Sequence, residues 1–187
     1  MYQGNNPSAL RSREWIAAAM ARLLEREPYG QITVKNICRE ADLSRQTFYQ
    51  IFDSKDEVMS YQFGIMFADF CRQCADTERM TVRGLARAFF AFFGEHDAFV
   101  SALIDNNMTH LLQAQFERFL PQIPLFQETN ERESHPDYAV SFVAAALSQL
   151  LIHWFSMGKD MSVEEMGLLT ERLLTGGCFV ATSDVCE

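Results

Sequence analysis

The sequence predicts an all-α protein, with a small helical head at the N-terminus and a larger helical bundle behind it. Three observations carry this. Apolar residues recur at helical spacing along nearly the whole chain, without convincing period-two alternation. The five prolines sit at segment ends and connections. Hydroxyl residues stand at cap positions before apolar runs, twice with Glu three residues on, at Ser54/Glu57 and Ser162/Glu165.

The elements follow in order. A first helix is expected from about Pro7 to Arg26, with Ile16, Ala19, Met20, Leu23 and Leu24 on its inner face; Tyr29-Gly30 ends it. Thr33 caps a short helix with Val34, Ile37 and Ala41 inward. Ala41-Asp42-Leu43 is a tight turn, and Ser44 caps a second short helix from Arg45 to about Ile51. Ser54 opens a long helix through about Ala75. Helices then run over Thr81–Phe93, from His96 to about Asn106, and from Met108 to Phe119 or beyond, closed by Pro121 and Pro124. A polar loop is expected over 127–134. A long helix follows from about Pro136 to Met157, ended by Gly158, and the helix opened by Ser162 stops at Gly176-Gly177. There is no internal repeat and no low-complexity tract.

The bulk numbers set the class. A chain of 187 residues makes one or two domains with a real core. Hydrophobic residues at 48% and charged residues at 22% are ordinary for a soluble globular protein. No apolar run is expected to span a bilayer, and the polar N-terminus lacks a signal-peptide core, so the expectation is a cytoplasmic protein with no membrane partner. Five cysteines, an odd number scattered through helical sequence, are expected as reduced thiols. The net charge of -9 is unevenly spread. Residues 1–55 hold eight basic against six acidic side chains, and the remainder eight against nineteen. Only one end is suited to meeting phosphate.

That end carries two short helices joined by a tight turn, both capped by hydroxyls, which is the helix-turn-helix pattern. Ile37, Ala41, Leu43 and Phe48 can lock the pair from inside. Outward, the second helix offers Arg45, Gln46, Thr47, Tyr49 and Gln50. Arg and Gln suit bidentate contacts with guanine and adenine edges. Thr47, Tyr49 and the cap hydroxyls of Thr33 and Ser44 suit phosphate oxygens. Lys55, in the first turn of the next helix, can hold a phosphate together with backbone amides.

The stretch Ile32-Thr33-Val34-Lys35-Asn36-Ile37, then Ala41-Asp42-Leu43-Ser44-Arg45-Gln46-Thr47-Phe48-Tyr49, then Phe52-Asp53-Ser54-Lys55-Asp56-Glu57, resembles the signature of the TetR family of bacterial transcriptional regulators. It covers about residues 10 to 60. The resemblance implies an all-α dimer with a DNA-binding head (residues 1–54) and a body for ligand binding and dimerisation (55–187). Carried over by position, Thr33, Lys35, Ser44, Arg45, Gln46, Thr47, Tyr49 and Lys55 would face double-stranded DNA. Two positions depart from the family pattern: Asp42 and Gln46 both stand where Gly is usual. The first wants a positive φ, which Asp tolerates less well than Gly. The second adds a polar side chain at the groove.

Eleven of the sixteen phenylalanines lie between Phe63 and Phe126. In the family an effector enters between the middle helices, and aromatic and Met walls suit an apolar or aromatic one. The candidate contacts are Phe63, Met66, Phe67, Phe70, Phe89, Phe93, Phe99, Leu103, Met108, Leu111 and Phe116. Any one of these is also an ordinary core residue. The segment from Phe89-Phe90-Ala91-Phe92-Phe93 to Asn106-Asn107-Met108 resembles, more loosely, the C-terminal domains of TetR-like regulators of Gram-positive bacteria, some of which act through a protein partner.

The helix expected over 138–157 is apolar nearly all round and must be covered on more than one side. A second copy is the natural cover. The candidate dimer face is Phe142, Ala145, Ala146, Gln149, Leu150 and Trp154, with Met166, Leu169 and Leu173 of the last helix. Cys71 and Cys74 share a helical face, but no second pair exists to complete a zinc site. No catalytic constellation is evident, so no enzyme activity, metal or cofactor is expected. The expected function is a homodimeric regulator, a repressor released from a palindromic operator by an apolar or aromatic effector. The alternatives are a coregulator controlled by a protein partner, or a helical ligand-binding protein without DNA function.

Overall fold

The structure, a computed structural model, describes residues 7–75, 81–123, 125–126 and 134–176. Pro124, Gly177, Cys178, Cys186 and the expected loop residues 127–133 lie outside them. Nine helices have both ends among the described residues, where there is no strand: α1 (Pro7–Leu24), α2 (Val34–Glu40), α3 (Arg45–Ile51), α4 (Lys55–Ala75), α5 (Val82–Glu95), α6 (Asp97–Asp105), α7 (His110–Phe119), α8 (Pro136–Ser156) and α9 (Val163–Leu174). One-turn 3₁₀ segments stand at Tyr29–Gln31 and Leu120–Gln122.

The caps start the helices as expected. Ser44 Oγ accepts from Thr47 N–H at 3.0 Å, Ser54 Oγ from Glu57 N–H at 3.2 Å, and Thr81 Oγ1 from Gly84 N–H at 3.0 Å. Ser162 and Glu165 cap each other reciprocally. Helix ends in the left-handed region include Asp42 (φ 53°) after α2, Asn107 (φ 56°) after α6 and Gly158 (φ 69°) after α8. In each case the following N–H reaches back five residues, Leu43 to Cys38 O at 2.9 Å, Met108 to Leu103 O at 2.8 Å and Lys159 to Trp154 O at 2.8 Å. This satisfies carbonyls that a helix end otherwise leaves open.

The chain falls into two compact units that follow packing rather than chain order: Met1–Asp69 with His96–Gln115, and Phe70–Glu95 with Phe116–Glu187. Residue 54, the expected edge of the head, lies inside the first unit, where α6 packs on α1. Ile16, Met20, Ile37, Phe48 and Phe52 are fully buried there. Burying side chains of this size stabilises by roughly 1.5–3 kcal/mol each. In the second unit α9 runs along α5. Arg83 and Arg87 of α5 pair with Glu171 (2.7 Å) and Glu164 (2.6 Å) of α9 while remaining exposed. Between these pairs lies Gly167, where an added Cβ would fall 2.4 Å from Arg87 Cγ and 3.2 Å from the Arg83 carbonyl. A side chain there would hold the two helices apart.

α8 corrects one expectation, because by length and composition it is apolar enough to cross a bilayer. Its inward stripe explains the composition. Val140, Ala144, Leu147, Leu151 and Trp154 are buried in the second unit. The Trp154 indole packs on Phe90 with ring centroids 5.4 Å apart, and its N–H donates to the Met161 carbonyl at 2.8 Å. The buried Ser148 hydroxyl donates to the Ala144 carbonyl at 2.7 Å.

Candidate nucleic-acid interface

The reading head is built from α1, α2 and α3. Arg22 of α1 and Arg26, in the turn just after it, clamp Glu40 at the end of α2, with Arg22 Nε 2.7 Å and Arg26 Nη1 3.4 Å from the carboxylate. Arg22 also donates to the Glu40 carbonyl at 3.2 Å. The Arg22 hydrogen bond, helped by the charge of Arg26, holds the Glu40 carboxyl below its ordinary range. Thr33 caps α2, accepting from Asn36 N–H at 3.2 Å, while the Asn36 side chain accepts from Thr33 N–H at 3.1 Å. Sequence reasoning placed the cap but missed Asn36, whose position at the third helical residue was the available signal.

Asp42 then turns the chain with the positive φ expected of it, and Ser44 starts α3. Phe48 and Ile51 face inward and, with Phe52, are buried, which fixes the rotation of α3 about its own axis. Arg45, Gln46, Tyr49 and Gln50 are therefore exposed, Tyr49 to 49%. Tyr49 is braced by an edge contact to Phe48, with centroids 5.4 Å apart. Lys35 of α2 is exposed as well. The Thr47 hydroxyl is half-buried and shares a 2.9 Å hydrogen bond with Ser44 Oγ. Of the eight residues expected at DNA, seven lie on α2, α3 and their caps.

Lys55 is placed differently from the expectation. Its ammonium donates to the Tyr29 and Ile32 carbonyls, both at 2.9 Å, and lies 4.1 Å from the Tyr29 ring centroid. Tyr29 OH donates in turn to the Asp56 carboxylate, and its burial and this bond raise its pKa. Two of the three ammonium donors are thus bound within the head. The 3₁₀ turn that supplies these carbonyls carried no sequence signal for the role.

Within each unit, residues proposed from the Phe-rich body pack on one another. In the first unit Phe63 stacks on Phe99 (5.8 Å) and meets Phe67 edge-on (6.1 Å); Met66, Leu103 and Met108 are buried and Leu111 half-buried. In the second, Phe89 lies 4.9 Å from Phe93 and 5.2 Å from Phe116, and Phe70 is 6.1 Å from Phe93. Such edge and offset geometries are favourable aromatic packing in their own right.

The proposed dimer face divides by exposure. Phe142 is 68% exposed, Ala145 and Gln149 are exposed, and Ala146, Leu150, Leu169 and Leu173 are half-buried. Trp154 and Met166, at 5% and 3% exposure, are buried within their own chain. Tyr138, one turn before Phe142, is 79% exposed.

The Cys71 and Cys74 thiols are both held toward their protonated form. Burial and the neighbouring Cys74 push the Cys71 thiol up to about 12, and burial pushes Cys74 up to about 11. Among the described residues no group of three or more His, Cys, Asp or Glu side chains is placed to hold a metal ion.

Residues 16–61 match the family model described as bacterial regulatory proteins, tetR family. The HTH-type dhaKLM operon transcriptional activator DhaS of Lactococcus lactis subsp. lactis is 27% identical over 141 residues, 74% of either chain. The HTH-type transcriptional regulator EthR of Mycobacterium tuberculosis is 33% identical over 95 residues, which cover 46% of this chain and 44% of EthR. Among solved structures, the dihydroxyacetone kinase operon activator DhaS aligns with a TM-score of 0.59 at 23% identity, covering 90% of this chain and 96% of its own. The TetR family repressor AlkX from Dietzia sp. aligns with a TM-score of 0.61 at 17% identity, covering 88% and 94%. At those identities the two structures establish a common fold.

Proposed function

We propose that this chain, whose residues 16–61 match the tetR family model, is a TetR-family transcriptional regulator that works as a homodimer whose two heads read one near-palindromic operator. The functional division is a head over residues 1–54 and a body from 55 on. The observation that carries the reading is the exposed Arg45, Gln46 and Tyr49 face of α3, fixed from beneath by the buried Phe48. Arg45 and Gln46 read base edges; Lys35, Thr33, Ser44, Thr47, Tyr49 and the remaining donor of Lys55 engage phosphates. The second copy covers the α8 stripe of Tyr138, Phe142, Ala145 and Gln149.

The body answers to an apolar or aromatic effector held by the Phe-rich helices, which acts only through its differential affinity for the two head spacings. The direction of control is repression, because occupying an operator needs no further contact to block a promoter. One observation favours a second reading: the L. lactis relative is by name an activator. The place of action is the cytoplasm.

Titration of a selected operator with purified protein tests the reading. Two chains per palindrome and an affinity falling steeply with salt are expected. One chain per site, or binding insensitive to salt, would count against it. A reporter with that operator over the promoter, compared with and without the protein, separates repression from activation.

A further inference from the structure

The first unit holds a cleft that the operator-reading face does not use. It is a solvent-open cleft of about 510 Å³ between the end of α1 with the Tyr29–Gln31 turn on one side and α6 on the other. That is in the size range of pockets that take small molecules. Its apolar lining includes the buried Leu24 and Ala102 and the exposed Ala98. Glu27 and Asp105 add carboxylates, and none of its lining residues is Lys or Arg. Asp105 is exposed and Glu27 half-buried. Two negative charges on low-dielectric walls, unanswered within the cleft, concentrate cations there. The apolar lining then selects cations that carry a hydrocarbon or aryl group.

A second observation ties the cleft to the head. Its wall is the same turn whose Tyr29 carbonyl, with that of Ile32, holds the Lys55 ammonium, and whose Tyr29 hydroxyl binds Asp56 at the start of α4. A ligand pressing between this turn and α6 acts on the residues that seat α4 beside α3. The geometry points to a second regulatory site, separate from the Phe-rich body: a cleft for a small organic cation, such as an arylalkylamine, whose occupancy changes operator affinity. Glu27 and Asp105 bind the ammonium, and Leu24, Ala98 and Ala102 take the apolar part.

Calorimetric titration of the full-length protein tests this, with tryptamine as probe and its neutral counterpart indole-3-ethanol as comparison. Saturable binding of one tryptamine per chain is expected, with indole-3-ethanol at least tenfold weaker. The double variant Glu27→Gln/Asp105→Asn should also bind tryptamine at least tenfold more weakly. Ser101→Trp, which fills the cleft from α6, should abolish binding while circular dichroism stays unchanged. Absence of saturable tryptamine binding, or equal affinity for both probes, would overturn the site. Binding that survives both sets of substitutions would place the amine outside this cleft and overturn the site equally. These measurements need no DNA, so they fail independently of the operator reading. On a selected operator, saturating tryptamine should change affinity at least threefold, and the operator should change tryptamine affinity by the same factor. An unchanged operator affinity would overturn the coupling.

Discussion

Asp42 shows how one side chain can hold a reading head together at some cost. It occupies the left-handed region with φ 53°, at the bend between the two helices that present the DNA face. A residue with a Cβ is strained there, Asp less than most and a β-branched residue more. Asp42→Gly should therefore leave the stability of the head unchanged or raise it by up to about 1 kcal/mol. Asp42→Val should lower it by about 1–2 kcal/mol. Urea unfolding followed by circular dichroism reads both, and equal stabilities for Gly and Val would refute the conformational account. The role of Asp42 was legible in the sequence, because its place in the turn required a positive φ. That of Lys55 was not. Its position suggested phosphate, but its ammonium is tied to carbonyls 26 and 23 residues away in sequence, and no local pattern encodes such contacts.

At the scale of elements, the helix starts were legible because caps are local chemistry: Ser44, Ser54 and Ser162 each bond an N–H within three residues. What α8 faces was less legible. Its apolar residues run nearly all round, so periodicity could not separate buried Trp154 from exposed Phe142. The α1–α2 clamp lends itself to a pH test. Glu40 is held below its ordinary value of 4.5 by Arg22 and Arg26. Its contribution is therefore complete above that value and disappears as pH falls through the lower folded value. The melting temperature of wild type should exceed that of Glu40→Gln near neutral pH, and the gap should close on acidification below about pH 4.5. A constant gap down to pH 3 would show that the ion pair contributes nothing. The α5–α9 contact makes a steric prediction. Gly167→Leu places atoms where Arg87 and the Arg83 carbonyl stand, and should destabilise by about 1–3 kcal/mol. A urea midpoint equal to that of wild type would contradict the close approach.

For the whole molecule, the exposed stripe on α8 decides whether one head or two meet the operator. Large apolar side chains such as Tyr138 at 79% and Phe142 at 68% exposure lose water-exposed area only when a second surface covers them. Phe142→Glu should convert a two-chain species to single chains in sedimentation equilibrium without loss of helix content. A wild type that sediments as single chains would remove the partner from the account. Trp154→Ala should behave differently: a buried indole lost from its place on Phe90 costs about 3–5 kcal/mol of the fold itself.

The most direct measurement of the central claim is selection from a random duplex pool with purified wild type and with Arg45→Ala. The α3 face predicts enrichment of a near-palindrome with half-sites about one helical turn, or a small multiple, apart. Arg45→Ala should lose about 1–3 kcal/mol of discrimination at one base in each half-site. No enriched palindrome from wild type, or the same sequence at the same affinity from Arg45→Ala, would contradict it.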